Sequence, residues 1–193
     1  MKDFIAIVSG LPRSSTSMMM RMLDSGGMEV VTDNIRKPDQ DNPAGYYEFE
    51  KVKKIKDDSI WLDSIYGKVV KMVSMLLYSL PSDKPYKVIF MKRDMTEILI
   101  SQKIMLERKR AKDAKSDEEM AGCFIKHLNE IEKWLGEQTN MNVLYVNYND
   151  IVENPVKNAR LVNEFLECNL NIEKMAEAVD KSLYRNRKGT IHA

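Results

Sequence analysis

Phe4-Ile5-Ala6-Ile7-Val8-Ser9-Gly10-Leu11-Pro12-Arg13-Ser14-Ser15-Thr16-Ser17 decides how this chain folds. Its first five residues are an unbroken apolar run rich in β-branched side chains, the pattern of a strand covered on both faces at the centre of a parallel sheet. A loop follows at once. From Ser15 to about Ser25 the Met and Leu spacing is helical, and Gly26-Gly27 stops it. A buried strand, a loop and a helix in that order favour an anion at the loop, because the helix start offers unpaired backbone N–H groups and the positive end of its dipole. Ser14, Ser15, Thr16 and Ser17 add hydroxyl donors, and Arg13 adds a planar fork of charged donors. With Gly10 and Pro12 these residues make up a candidate phosphate-binding loop. Against the pattern G-x-x-x-x-G-K-[ST], Gly10 and Ser17 stand in place, but Ser15 replaces the second glycine and Thr16 the lysine. The cation lies three positions earlier, at Arg13.

Downstream, strand and helix patterns alternate. Short β-rich runs predict strands over 28–31, 68–73, 86–91 and 143–146, and helical spacing predicts helices over 48–58, 95–110, 117–137, 155–167 and 172–181. Pro155 suits the first turn of its helix. Residues 32–45, with Pro38 and Pro43 among many Asp and Asn residues, form a long loop of the kind that carries function or mobility, and the charged stretch 108–115 reads as a solvated turn. The alternation predicts an α/β fold of three layers, a parallel sheet with helices on both faces. Right-handed crossovers bring the loops that follow the strands to one sheet edge, where ligands bind.

Composition bounds the rest. A chain of 193 residues with 44% hydrophobic content suits one domain spanning 1–193. Thirty basic against 29 acidic residues leave a net charge of +1, so no overall field attracts nucleic acid or anionic membrane, and an anion site must be local. Two cysteines, Cys123 and Cys168, are too few for a disulfide framework and suit a reducing compartment as inert thiols. The apolar run near Met1 is too short for a signal-peptide core or a membrane span, which favours a cytoplasmic location. No His, Cys or carboxylate cluster has metal-ligand spacing, so no metal is expected.

Arg13 followed by Ser-Ser-Thr-Ser resembles the 5′-phosphosulfate loop of the sulfotransferases that use 3′-phosphoadenosine 5′-phosphosulfate (PAPS), a basic residue followed by Ser-Gly-Thr-Thr or a close variant. Further resemblances follow in chain order. The run Val88-Ile89-Phe90-Met91-Lys92-Arg93-Asp94, with Ser101 eight residues after the arginine, is similar to that family's 3′-phosphate motif. A serine about two turns along the helix points a hydroxyl back toward the arginine. Tyr148-Asn149-Asp150-Ile151, with Pro155 beyond, resembles the segment whose tyrosine lies near adenine, and Lys71 the lysine of the family's third strand. Residues 41–48 look like the acceptor-side segment of small bacterial members, and Arg187-Lys188-Gly189 like the cytosolic enzymes' 3′-phosphate triplet.

The resemblance implies a fold like that of the P-loop NTPases and transfer of the sulfuryl group of PAPS to a hydroxyl or amine, with 3′-phosphoadenosine 5′-phosphate (PAP) as product. The acceptor is then a small molecule, carbohydrate or lipid whose identity the sequence does not give, and oligomeric state is equally open. Arg13 is the candidate for stabilising the leaving oxygen, with Arg93, Ser101 and Tyr148 on the rest of the nucleotide. The family's cytosolic branch places its catalytic histidine where Val73 and Ser74 stand here; Glu48 is the nearest counterpart of the glutamate of other branches, with Asp33 and Asp41 competing. His127, mid-helix, and His192, at the chain end, are not expected to act as the base. Two alternatives stand beside this reading: a non-catalytic protein binding a 3′-phosphoadenosine nucleotide, and a small-molecule kinase, which Thr16 in the lysine position disfavours.

Overall fold

The computed structural model describes residues 3–33, 35–39, 42, 45–108, 116–180 and 182. The apolar run folds as β1 (Ile5–Gly10), buried along its whole length, and leads through the serine-rich loop into α1 (Thr16–Ser25). There follow β2 (Val30–Val31), β3 (Val69–Lys71), β4 (Tyr86–Lys92), α2 (Met95–Arg108), α3 (Asp117–Glu137), β5 (Met141–Asn147), α4 (Tyr148–Glu153), α5 (Pro155–Leu166) and α6 (Ile172–Glu177). All strand pairs are parallel, in the order β2-β3-β1-β4-β5. Successive side chains of β1 feed opposite faces. Ala6 and Val8 pack with Met19, Met20 and Leu23 of α1 and with α5 and α6, while Ile5 and Ile7 pack with Trp61, Leu62, Leu77 and, from α3, Ile131 and Leu135. The three layers follow from that division.

Strand order sets the position of the site. The chain runs from β1 outward to β2, back to β3, and then across to β4, so the direction of winding reverses around β1. The carboxyl ends of β1 and β4, paired as Gly10 with Met91, flank the crevice that such a reversal opens. Gly10 is needed for this pairing: its φ is 147°, and a Cβ there would lie 2.5 Å from Ser14 Oγ and 2.6 Å from Met91 O.

Some elements depart from expectation. In place of a helix over 48–58 the chain makes a 3₁₀ turn, Glu50–Lys54. Phe49, Val52 and Ile55 face the sheet at intervals of three, the period of a 3₁₀ rather than an α-helix. Two further 3₁₀ segments, Ile60–Ser64 and Ser74–Ser79, cover the same face. Strand β5 begins at Met141, and Tyr148 opens a short helix, α4, of its own. The last helix stops at Glu177. Asp41, Pro43, most of the charged stretch, the Arg187-Lys188-Gly189 triplet and His192 lie outside the described residues.

Candidate functional site

The loop after β1 is built from its own hydroxyls and from an unusual backbone. Arg13 and Ser15 both take left-handed conformations, φ 68° and 70°, which side chains other than glycine adopt at a cost and which cluster at functional positions. Ser15 is the N-cap of α1, and the first turn of that helix carries no acidic side chain, so the positive end of its dipole is uncompensated there. Ser14 departs from its expected role as an anion donor. It is buried, and both its N–H (3.2 Å) and its Oγ (2.7 Å) donate to Leu11 O, closing the turn instead.

A cleft of about 530 Å³ opens over this loop, lined by Pro12, Arg13, Ser15, Thr16 and Ser17 and, from distant parts of the chain, by Arg93, Ser101, Tyr148, Glu48 and Lys71. Of the residues expected to hold the nucleotide, Gly10 and Ser14, which shape the loop from behind, are not in its wall. The two motifs meet directly: Arg13 Nε donates to Ser101 Oγ at 2.9 Å, and Arg93 Nη1 donates to Arg13 O at 3.2 Å. Arg93 also lies over the Tyr148 ring, 4.5 Å from its centroid. Its Nε is 2.9 Å from Glu97 Oε2, in a pair whose side chains are 8% and 1% exposed. The sequence reading missed Glu97; the signal was its position four residues after Arg93, where helical geometry brings two side chains together. Asp94 acts as a local cap, accepting the Thr96 N–H at 2.9 Å.

The opposite wall comes from β3 and the segment that ends the long loop. Lys71 Nζ donates to Tyr46 O and, at 3.2 Å, to Ser17 Oγ. Burial pushes the Lys71 ammonium down to about 8, with Glu48 pulling it up and Arg36 pushing it further down. Arg36 stacks 3.4 Å above the Tyr46 ring centre and pairs through Nη1 with Glu48 Oε1 at 2.7 Å. Tyr46 OH donates to Asp39 Oδ1 at 2.5 Å; burial, and then this carboxylate, push its phenol up to about 12. Tyr46 falls in the stretch 41–48 likened to the acceptor-side segment, without a role of its own, and Arg36 was not singled out from sequence, because nothing local marks it.

The candidate bases separate on geometry. Glu48 lines the cleft, and its Oε2 takes no hydrogen bond among the described residues. Asp33 does not line it. Its carboxylate accepts the N–H groups of Glu50 (2.6 Å) and Ile35 (3.0 Å), and the bond from Glu50 holds its pKa below the ordinary value. A carboxylate so occupied caps a turn rather than collecting a substrate proton. His127 is absent from the cleft wall: its Nε2 lies 2.8 Å from the Oγ of buried Ser74, and burial lowers its pKa. No group of His, Cys, Asp and Glu among the described residues could hold a metal ion. No helix among them is long and apolar enough to cross a membrane.

This arrangement, with a cationic loop and a second arginine at the ends of neighbouring parallel strands, coincides with a sequence match along nearly the whole chain: the sulfotransferase domain model fits residues 5–191. The chain belongs to the sulfotransferase family. Solved structures share the three-layer, P-loop-like fold of this sulfotransferase at low identity. A sulfotransferase from Alicyclobacillus acidocaldarius superposes with a TM-score of 0.52 at 12% identity, over 95% of this chain and 88% of the other. The sulfotransferase domain from the curacin biosynthetic pathway gives 0.52 at 12%, over 99% and 93%. Mouse sulfotransferase SULT7A1 complexed with PAP gives 0.51 at 14%, over 92% of this chain but 63% of that one. No curated protein matches the sulfotransferase by sequence.

Proposed function

We propose that this sulfotransferase takes the sulfuryl group from PAPS and passes it to a hydroxyl or amine of an acceptor. The observation that carries the reading is the contact between the two cationic motifs: the Arg13 loop and the Arg93/Ser101 pair, 88 residues apart in the case of Arg13 and Ser101, meet at one cleft. A nucleotide phosphorylated on both sides of its ribose has a use for both, and a simple 5′-nucleotide for only one. PAP in the mouse structure is in keeping with that use. The fit also rests on charge. Arg13, Arg93 and Lys71 stand in the wall with one carboxylate, Glu48, among its described residues, so a polyanion enters without repulsion from the cleft itself.

PAPS, when bound, supplies an activated sulfuryl group whose departure leaves charge on the 5′-phosphate oxygen. Arg13, with Thr16 and the first N–H groups of α1, forms a fixed set of donors where that charge grows, while the Ser17 hydroxyl donates to Tyr46 O at 3.3 Å; positioned electrostatics of this kind accelerate displacements at phosphate and sulfate centres. Arg93 and Ser101 hold the 3′-phosphate, and Tyr148 contacts the base while its ring keeps Arg93 in position. Pro12 and Ser15 fix the loop that Gly10 allows to approach β4. Lys71 adds a second cation beside Ser17. Glu48 Oε2 accepts the proton from the attacking hydroxyl or amine, and Arg36 orients the carboxylate through Oε1.

The test is incubation of the protein with radiolabelled PAPS and a panel of phenols, sugars, sterols and amines, followed by a whole-metabolite extract. A labelled product whose formation needs Glu48 is expected. Tight PAP binding with no product from panel or extract would refute transfer and leave a nucleotide-binding protein.

A further inference from the structure

Arg21 has no part in the scheme above, yet it lines the same cleft. It sits on α1 four residues beyond Ser17, on the same side of the helix. Its Nε is buried and has no hydrogen-bond partner, and no ion pair joins its guanidinium to a carboxylate among the described residues. Three other cations of the wall are paired with carboxylates: Arg36 with Glu48 at 2.7 Å, Lys53 with Glu50 at 2.5 Å and Arg93 with Glu97 at 2.9 Å. Asp24, three residues along the same helix, is the acid that sequence spacing offers to Arg21. It accepts the Tyr47 hydroxyl at 3.1 Å instead. The side chain as a whole is partly exposed, but its buried Nε–H without an acceptor is a cost to the fold that an acceptor on a ligand would remove.

We propose that Arg21 binds an oxyanion, a carboxylate, phosphate or sulfate group of a ligand, at a point of the cleft separate from Arg13 and Arg93. The guanidinium edge that includes Nε presents parallel N–H donors spaced for two oxygens of one such group, which a neutral hydroxyl cannot match. Glu48, the one carboxylate among the wall's described residues, makes its ion pair with Arg36 and none with Arg21. The group belongs either to the acceptor, which makes the acceptor an anionic molecule, or to the nucleotide. The inference takes the cleft as the ligand site, as the proposed function does, but its test does not depend on turnover.

PAP, inorganic phosphate, and inorganic phosphate in the presence of saturating PAP are titrated calorimetrically into the wild-type chain, R21Q and R21K. The Arg21 Nε–Hε resonance serves as a local reporter in the wild type. At least one titration is expected to weaken about tenfold or more in R21Q, the order expected for loss of one charge-assisted bond, and less in R21K. Weaker phosphate binding to the PAP-loaded protein, with PAP affinity unchanged, assigns the oxyanion to the acceptor; weaker PAP binding assigns it to the nucleotide. Identical behaviour of wild type and R21Q in all three titrations, including absence of phosphate binding in both, overturns the inference. Melting of the free proteins serves as the folding control. R21Q removes the buried, unpartnered Nε–H and should melt close to wild type; if it does not fold, R21K, which keeps the charge and removes the fork, decides. Failure of PAP to bind the wild type would refute the proposed function, and the phosphate titration without PAP would still decide the role of Arg21.

Discussion

Removing Arg93 tests nucleotide recognition only if its effect on folding is separated from its effect on binding. Its guanidinium pairs with Glu97 at 2.9 Å, and the two side chains are 8% and 1% exposed. Arg93→Ala removes the cationic partner of the buried Glu97 carboxylate, leaving it the amide of Asn149 at 3.5 Å, and breaking a buried pair from one side costs about 3–5 kcal/mol. A fall in PAP binding by that variant would therefore be ambiguous. The double variant Arg93→Met/Glu97→Leu removes both charges and keeps the volume, and methionine retains a contact with the Tyr148 ring now 4.5 Å from the guanidinium. Replacing a buried pair by apolar groups of similar size is often neutral or stabilising, so urea unfolding of the double variant should lie close to wild type. Binding should not recover with it. A charged hydrogen bond to the 3′-phosphate contributes roughly 1.5–3 kcal/mol, or about 10- to 150-fold. Wild type should prefer PAP over AMP by at least that factor in calorimetric titration, and the double variant should lose about that factor of the preference, keeping only what Ser101 contributes. A double variant that folds like wild type and keeps the full preference for PAP would refute the assignment of Arg93 to the 3′-phosphate.

Gly10→Ala should lower stability by about 2–6 kcal/mol, combining backbone strain with overpacking, because its Cβ would meet Met91 O at 2.6 Å in the central strand pair; an unchanged urea midpoint would refute this. PAP affinity should be flat between pH about 7 and 8, where the phosphate groups, with a second pKa of about 6, are already ionised, and fall above about 8 as Lys71, held near 8 by burial, loses its proton; titrations across pH should show Lys71→Met without this decline. The same shift sets the sign for stability. The folded pKa lies below the unfolded value of 10.5, so the cost of the charged lysine is fully present below about 8 and disappears as pH rises toward 10.5. Lys71→Met should therefore stabilise more at pH 7 than at pH 10, measured by denaturant unfolding. Glu48→Gln should cut kcat by about 10²- to 10⁴-fold, the range for loss of a general base, and leave PAP affinity unchanged. Asp33→Asn should instead lower stability, because it weakens the bonds from the Glu50 and Ile35 N–H groups.

Residues 4–17 by themselves determined that a buried strand, an anion-favouring loop and a helix follow one another, because each depends on side chains that are neighbours in the chain. The Arg93 and Ser101 spacing and the alternation of strand and helix were legible for the same reason. Other features were decided only by tertiary structure. Strand order placed β4 beside β1, and with it Arg13 against Ser101. The 3₁₀ turn at Glu50–Lys54 replaced a predicted helix because the sheet face took Phe49, Val52 and Ile55 at intervals of three. The sequence offered Glu48 as the first candidate for a base with Asp33 and Asp41 competing, and Ser14 as a donor to the anion. Folding committed Asp33 to a backbone cap and Ser14 to Leu11 O, and left Glu48 in the cleft wall. Residue type fixes what a side chain is able to donate or accept; which partner reaches it first depends on segments tens of residues away, and only the assembled sheet brings those together.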